Sequence, residues 1–233
     1  MTEAEWLTCD DPRPMLAFLR DKISDRKLRL FALGCLRPNV HLWPEDGWLS
    51  SDIDLTEQFL DGREVTEYEK SQEYYASQGM EEEEAVIRDF LPRDYLREAF
   101  FDRNAWNAAA QTAMQVANQA EFRFYAENKA EAAFDMKSLT ECRRTALAAQ
   151  SVLFREIVGN PFRFPSFDAR WHTATVTTLA NAVYTDRAFD RMPILADALE
   201  DAGCTSRDIL DHCRQPGVHV RGCWVVDLVL GKE

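Results

Sequence analysis

The sequence predicts an all-α protein: a multi-helix bundle built around a long Ala-rich helical hairpin, with a C-terminal subdomain of short helices. Three observations point there. The stretch 102–158 contains neither Gly nor Pro. Apolar residues recur through it at helical spacing, first Trp106, Ala110, Ala113, Ala117, Ala120 and Phe124, then Leu139, Cys142, Ala146, Ala149, Leu153 and Ile157. Elsewhere, Ser, Thr and Asp starts and Gly stops punctuate the chain at helix-length intervals. Ala on a buried face lets a neighbouring helix approach closely. Within the long stretch, Ser138 followed three residues later by Glu141 predicts a capping box, which splits it into two helices folded back as a hairpin.

The remaining elements follow in chain order. Thr2 and Glu5 form a capping-box pair ahead of Trp6 and Leu7, and Asp11-Pro12 supplies an N-cap with Pro at the first helical position. Ser24 caps a third helix through Leu28, Phe31, Ala32 and Cys35, whose basic Arg26, Lys27 and Arg29 read as a solvated face rather than a nucleic-acid contact. Pro38, Pro44 and Gly47 break the pattern in a loop carrying Val40, His41, Trp43 and Trp48, residues expected to tuck onto the core. Helical pieces are predicted at 52–60, 64–77, 81–90 and 93–101, with Gly62 and Gly79 as stops. Beyond 158, Gly159-Asn160-Pro161 ends a helix. Further helices are predicted at 173–184, at 187–202 with Gly203 ending it, and from Thr205 with Asp208 as its cap pair. The run Cys223 to Leu230 has strand-like propensity but no partner strand anywhere in the chain, so a buried helix is expected.

A chain of 233 residues is expected to form one domain, 1–233, with sub-parts 1–62, 63–158 and 159–233. Hydrophobic content of 46% and charged content of 29% are those of a soluble globular protein. The acidic opening Met1-Thr2-Glu3-Ala4-Glu5 lacks the features of a signal peptide, and no apolar run approaches the roughly 20 residues that span a bilayer. A cytoplasmic protein with no membrane contact is expected, its six Cys reduced.

The net charge of −13 is concentrated. Residues 45–100 hold 17 acidic against 5 basic side chains, while the rest is close to balanced. That field repels phosphate backbones and argues against nucleic-acid binding. Aromatic residues interspersed among the acids make a docking surface for a basic protein partner a second reading beside plain core packing. Glu81, Glu82, Glu83 and Glu84 are the candidate partner-binding residues.

Chemistry is sparse. No phosphate loop, dinucleotide fingerprint, zinc-protease helix or nucleophile elbow is present. Asp208 lies one turn before His212 with Cys213 adjacent, but neighbours on a helix point about 100° apart and make a poor nucleophile–base pair. Cys204, His212, Cys213, His219 and Cys223 put five metal-ligand types within 20 residues. Four of them suffice for tetrahedral zinc. No C-x-x-C pair is among them, and helix packing of small apolar thiols is the reading the spacing favours. The function class favoured is a protein-interaction or regulatory module rather than an enzyme, with a zinc protein or an enzyme using the C-terminal Cys/His group as the alternative.

Two blocks of the chain resemble a paralogous family of uncharacterised bacterial proteins known mainly from planctomycetes. The first is Met1-Thr2-Glu3-Ala4-Glu5-Trp6-Leu7 with Ser24-Asp25-Arg26-Lys27-Leu28-Arg29-Leu30-Phe31-Ala32. The second runs from Gly159-Asn160-Pro161-Phe162-Arg163 through Ala188-Phe189-Asp190-Arg191-Met192-Pro193 to His219-Val220-Arg221-Gly222-Cys223-Trp224-Val225-Val226-Asp227-Leu228. Where that family carries Cys-Cys-Arg-Arg, this chain has Cys35-Leu36-Arg37-Pro38. The resemblance implies a helical bacterial protein and no particular activity.

Overall fold

Capping chemistry starts the first helices where the sequence places them. In a computed structural model of the chain, which describes residues 1–38, 48–62, 104–128, 136–163 and 165–232, Thr2 and Glu5 exchange both capping-box bonds ahead of α1 (Glu3–Thr8). Asp11 caps α2 (Pro12–Phe18), and the Ser24 hydroxyl accepts the Lys27 amide at the start of α3 (Asp25–Leu36). There follow α4 (Trp48–Leu60), α5 (Ala105–Asn128), α6 (Met136–Val158), α7 (Ala174–Asp186), α8 (Met192–Asp201), α9 (Arg207–Arg214) and α10 (Trp224–Leu230). Two 3-10 turns, Ala169–Trp171 and Phe189–Arg191, precede α7 and α8. Among the described residues there is no strand, and no helix is long and apolar enough to cross a membrane. The protein is all-α, as the periodicity predicts.

The predicted helices at 64–77, 81–90 and 93–101 lie outside the described residues, as do His41, Trp43 and Glu81, Glu82, Glu83 and Glu84. Several boundaries move. The helix predicted from Arg187 begins at Met192, because Arg187 adopts a left-handed φ of 53° and Pro193 suits a first turn. Ser206, not Thr205, is the N-cap of α9. Helix α6 already begins at Met136, so Ser138 sits inside its first turn and is not the cap.

The chain divides into two compact units, residues 28–146 and residues 1–27 with 147–233. In the first, α5 and α6 are separate helices and the beginning of α6 lies against α5. Arg143 reaches Asn118 and, at 3.1 Å, Glu121, while the Cys142 thiol meets the Ala120 carbonyl at 3.4 Å. Ala32 and Ala108, both fully buried, pack together, and Arg37 ties the end of α3 to Asp54 and Glu57 of α4 at 2.7 and 3.1 Å. The buried face of α5 is Ala105, Ala108, Ala109, Thr112, Ala113, Val116 and Ala117. That is nearly one residue position around from the predicted stripe, whose Trp106 and Ala110 are only half-buried. In α6 the predicted Leu139 and Ile157 are buried, but between them the buried positions are Leu147, Gln150, Ser151 and Phe154 rather than Ala146, Ala149 and Leu153, and Ala149 is exposed.

The second unit joins the two ends of the chain. The Trp6 indole N–H donates to the Gly159 carbonyl at 3.2 Å and its ring lies 5.8 Å from that of Phe154. Arg155 donates to the carbonyls of Trp6 and Cys9 at 3.1 and 2.9 Å. Helix α8 packs on α7 and α9, and α7 on α10, around a core that includes Val183, Leu195, Leu199 and Val226. The run Cys223–Leu230 is a helix, as its lack of a partner strand requires.

One charged knot holds this unit from inside. Asp227 on α10, whose side chain is 2% exposed, takes Arg26 at 2.8 Å and Lys27 at 2.5 Å from α3. Arg26 also donates to the Tyr184 hydroxyl at 2.7 Å, and Lys27 to the carbonyls of Ile157 and Gly222 at 2.9 and 2.8 Å. The expectation of a solvated basic face is therefore wrong for Arg26 and Lys27. Helical position alone did not reveal it, because their acidic partner lies at the far end of the sequence. Burial pulls the Lys27 ammonium below its ordinary pKa, against the opposing effect of Asp227.

Candidate metal centre

Three chain segments of the second unit bring four donor side chains together. Helix α6 supplies Glu156 from its last turn, and α9 supplies His212 from its C-terminal half. The loop after α9 carries His219, and Cys223 is the N-cap of α10. One ligand atom from each lies within 4.8 Å of every other. The His212 Nε2 atom is 3.2 Å from Cys223 Sγ and 3.3 Å from Glu156 Oε2, and His219 Nδ1 is 3.0 Å from Glu156 Oε1. Side-chain exposure is 6% for both Glu156 and His219, so the group is closed to bulk water.

The hydrogen bonds assign the histidine tautomer in the metal-free state. Trp224 Nε1–H can only donate, and it points at His212 Nδ1 at 3.1 Å. The Gln215 amide nitrogen lies on the same Nδ1 at 3.3 Å. A neutral His212 therefore carries its hydrogen on Nε2 and turns it towards Glu156 and Cys223. His219 donates through Nδ1 to the same carboxylate, and its Nε2 is buried with no hydrogen-bond partner. Burial pushes the Glu156 carboxyl upward, but the bonds from His212 and His219 outweigh it and leave the group below its usual pKa. Burial and the neighbouring Glu156 charge raise the Cys223 thiol well above its ordinary value. Without metal, the site is one buried carboxylate fed by two imidazoles beside a protonated thiol.

The donor set suits a borderline metal ion. Zinc takes imidazole, thiolate and carboxylate at roughly 2.0–2.3 Å, so tetrahedral ligand atoms stand about 3.3–3.8 Å apart. The three bonded pairs, at 3.0–3.3 Å, are slightly tighter, as donors in mutual hydrogen-bond contact are, while the group as a whole spans up to 4.8 Å and would have to draw in around an ion. Four protein ligands in a buried setting describe a structural site rather than a catalytic one, which keeps a position open for water.

Of the five sequence candidates, His212, His219 and Cys223 converge and Cys204 and Cys213 do not. Cys204, at the turn between α8 and α9, is 2% exposed and packs in the apolar core, as does the fully buried Cys213. Burial raises both thiols, Cys213 to about 12. The Asp208–His212–Cys213 arrangement does not form, since Asp208 stays on the exposed face and His212 turns to Glu156 and Cys223. Glu156 is the member the sequence reading lacks. Its signal is a lone carboxylate between Phe154, Ile157 and Val158, in a turn otherwise apolar but for Arg155. A buried charge demands a partner, and Glu156 finds two. No protein-family model, curated protein or solved structure matches the chain.

Proposed function

We propose that this protein is a non-enzymatic helical binding module whose terminal unit is locked by a structural zinc ion held by Glu156, His212, His219 and Cys223. The observation that carries the reading is the convergence of four zinc-type donors from three separate segments within 4.8 Å. Charge supports it: a divalent cation with one carboxylate, one thiolate and two neutral imidazoles is a neutral assembly, the cheapest state for a buried site. The ion would cross-link α6, α9 and α10 and so stabilise the unit that they build.

The test is elemental analysis of untagged protein purified without added metal. About one zinc per chain is expected, lost in both Cys223→Ser and Glu156→Gln, with chelator lowering the melting temperature of the wild type only. Metal-free protein that melts identically with and without chelator sinks the zinc reading and leaves a hydrogen-bonded Glu–His–His cluster.

A second reading concerns what the module docks to. The balance of 17 acidic to 5 basic residues over 45–100 favours a basic protein partner at Glu81, Glu82, Glu83 and Glu84. Replacing all four with Gln should slow association with that partner and flatten its salt dependence. Equal association rates for wild type and variant at low salt would dismiss it.

A further inference from the structure

We propose that Lys27 is a positioning residue of the metal centre: it fixes the backbone beside Glu156 and Cys223 so that these two anionic ligands stand where one ion can bridge them. The inference rests on the zinc reading and adds to it a residue from α3, a helix that supplies no ligand. Lys27 lies in the first turn of α3, and its side chain is largely buried. Its ammonium has three hydrogens for three acceptors: the Ile157 carbonyl at 2.9 Å, the Gly222 carbonyl at 2.8 Å and the Asp227 carboxylate at 2.5 Å. Every hydrogen is committed, so the head group holds one place.

Two of those acceptors are backbone groups beside ligands. Ile157 follows Glu156 in the last turn of α6, and the Gly222 carbonyl belongs to the peptide group that carries the Cys223 nitrogen. Carbonyls in the last turn of a helix lack an intrahelical partner, and a cationic side chain suits them. Lys27 takes one such carbonyl from α6 and, with the same nitrogen, a second at the entrance to α10. That nitrogen therefore sets how far apart the two ligand-bearing segments stand. Neighbouring Cα atoms are about 3.8 Å apart, so a shift at either carbonyl is carried to the ligand next to it. Zinc accepts ligand distances only within roughly 0.2 Å of its preferred values. With the backbone held, drawing the ligands in from their span of up to 4.8 Å falls to side-chain rotation. A lysine that served only to pair with Asp227 would affect stability alone. One bonded to both ligand-bearing segments should also affect the metal.

The experiment measures cobalt(II) absorption and zinc affinity, the latter by competition with a chelator, in the full-length protein well below its melting temperature. Wild type should give the intense visible cobalt bands of a tetrahedral site. Lys27→Met with Asp227→Leu replaces the charges by apolar side chains and loses both carbonyl bonds. Its cobalt bands should weaken and its zinc affinity fall by about tenfold or more, the usual effect of removing a residue that orients ligands. If that double variant melts early, Lys27→Met alone, which leaves Asp227 its Arg26 partner, serves instead with the same loss expected. Asp227→Asn is the opposite case: it lowers stability but leaves Lys27 its two carbonyls, so wild-type bands and wild-type zinc affinity are expected. Wild-type bands and affinity in both Lys27 variants would overturn the proposal and leave the zinc reading standing. An equal loss in Asp227→Asn would do the same, by tying the metal to stability alone. Wild-type protein that takes up neither ion would overturn the zinc reading itself, and the role of Lys27 with it.

Discussion

Trp224 has one hydrogen to donate and nothing with which to accept, and that constrains the metal chemistry. Zinc on His212 Nε2 moves the ring hydrogen to Nδ1, where it faces the indole N–H across 3.1 Å. Two donors cannot share that contact. Metal binding must therefore release the Trp224 bond, and the Gln215 amide can turn its oxygen to take the Nδ1 hydrogen in its place. It follows that Trp224→Phe, which removes the competing donor and keeps an aromatic ring, should tighten zinc binding by about two- to tenfold, the net worth of one hydrogen bond. Competition with a fluorescent zinc chelator measures it. Weaker zinc binding in the variant would mean that Trp224 supports the bound state and that the tautomer argument is wrong. Binding should also release a proton, since the raised Cys223 thiol is protonated at neutral pH and zinc takes the thiolate. Affinity then rises with pH, seen as proton uptake by a weakly buffered dye.

At the scale of elements, the junction after α6 is the point of least tolerance. Gly159 ends that helix at φ +75°, with its N–H on the Arg155 carbonyl at 2.8 Å. A Cβ there would lie 3.0 Å from Trp224 Cγ. Gly159→Ala should cost about 1–2 kcal/mol for the left-handed backbone alone, more if Trp224 cannot give way. Thermal melting checks it, and a variant as stable as wild type would mean that the turn relaxes to negative φ. Helix ends such as this one were legible in the sequence because caps and stops act through the nearest few residues: Thr2, Asp11, Ser24 and Gly159 all do what their types suggest. Helix faces were less legible. Ala sits as easily at an edge as in a core, so stripes of Ala in α5 and α6 left the rotation open, and Thr112, Gln150 and Ser151 occupy buried positions that a hydrophobicity pattern assigns to solvent. The metal candidates split for a related reason. Spacing found His212, His219 and Cys223 near one another, but Glu156 lies 56 residues before His212 and only tertiary packing brings it in.

For the molecule as a whole, the Arg26–Lys27–Asp227 knot is the tie on which the second unit depends. Removing one member of a buried ion pair leaves the others uncompensated, so Asp227→Asn should lower stability by about 3–5 kcal/mol. Chemical denaturation measures it. Replacing the acid together with one cation, as Lys27→Met with Asp227→Leu, should recover a large part of the loss, because well-packed apolar side chains are no worse than the pair they replace. A double variant as unstable as the single one would show that shape rather than charge is at stake.

The same tie dictates an order of events during synthesis. Arg26 and Asp227 are 201 residues apart, so α10 must leave the ribosome before the two can meet. Until then Arg26 and Lys27 lack Asp227. The loop entropy of that closure grows only logarithmically with length, so the delay is set by translation rather than by search. A chain cut before α10 would leave Arg26 and Lys27 without Asp227, and the second unit should then be cleaved faster by proteases than the uncut chain.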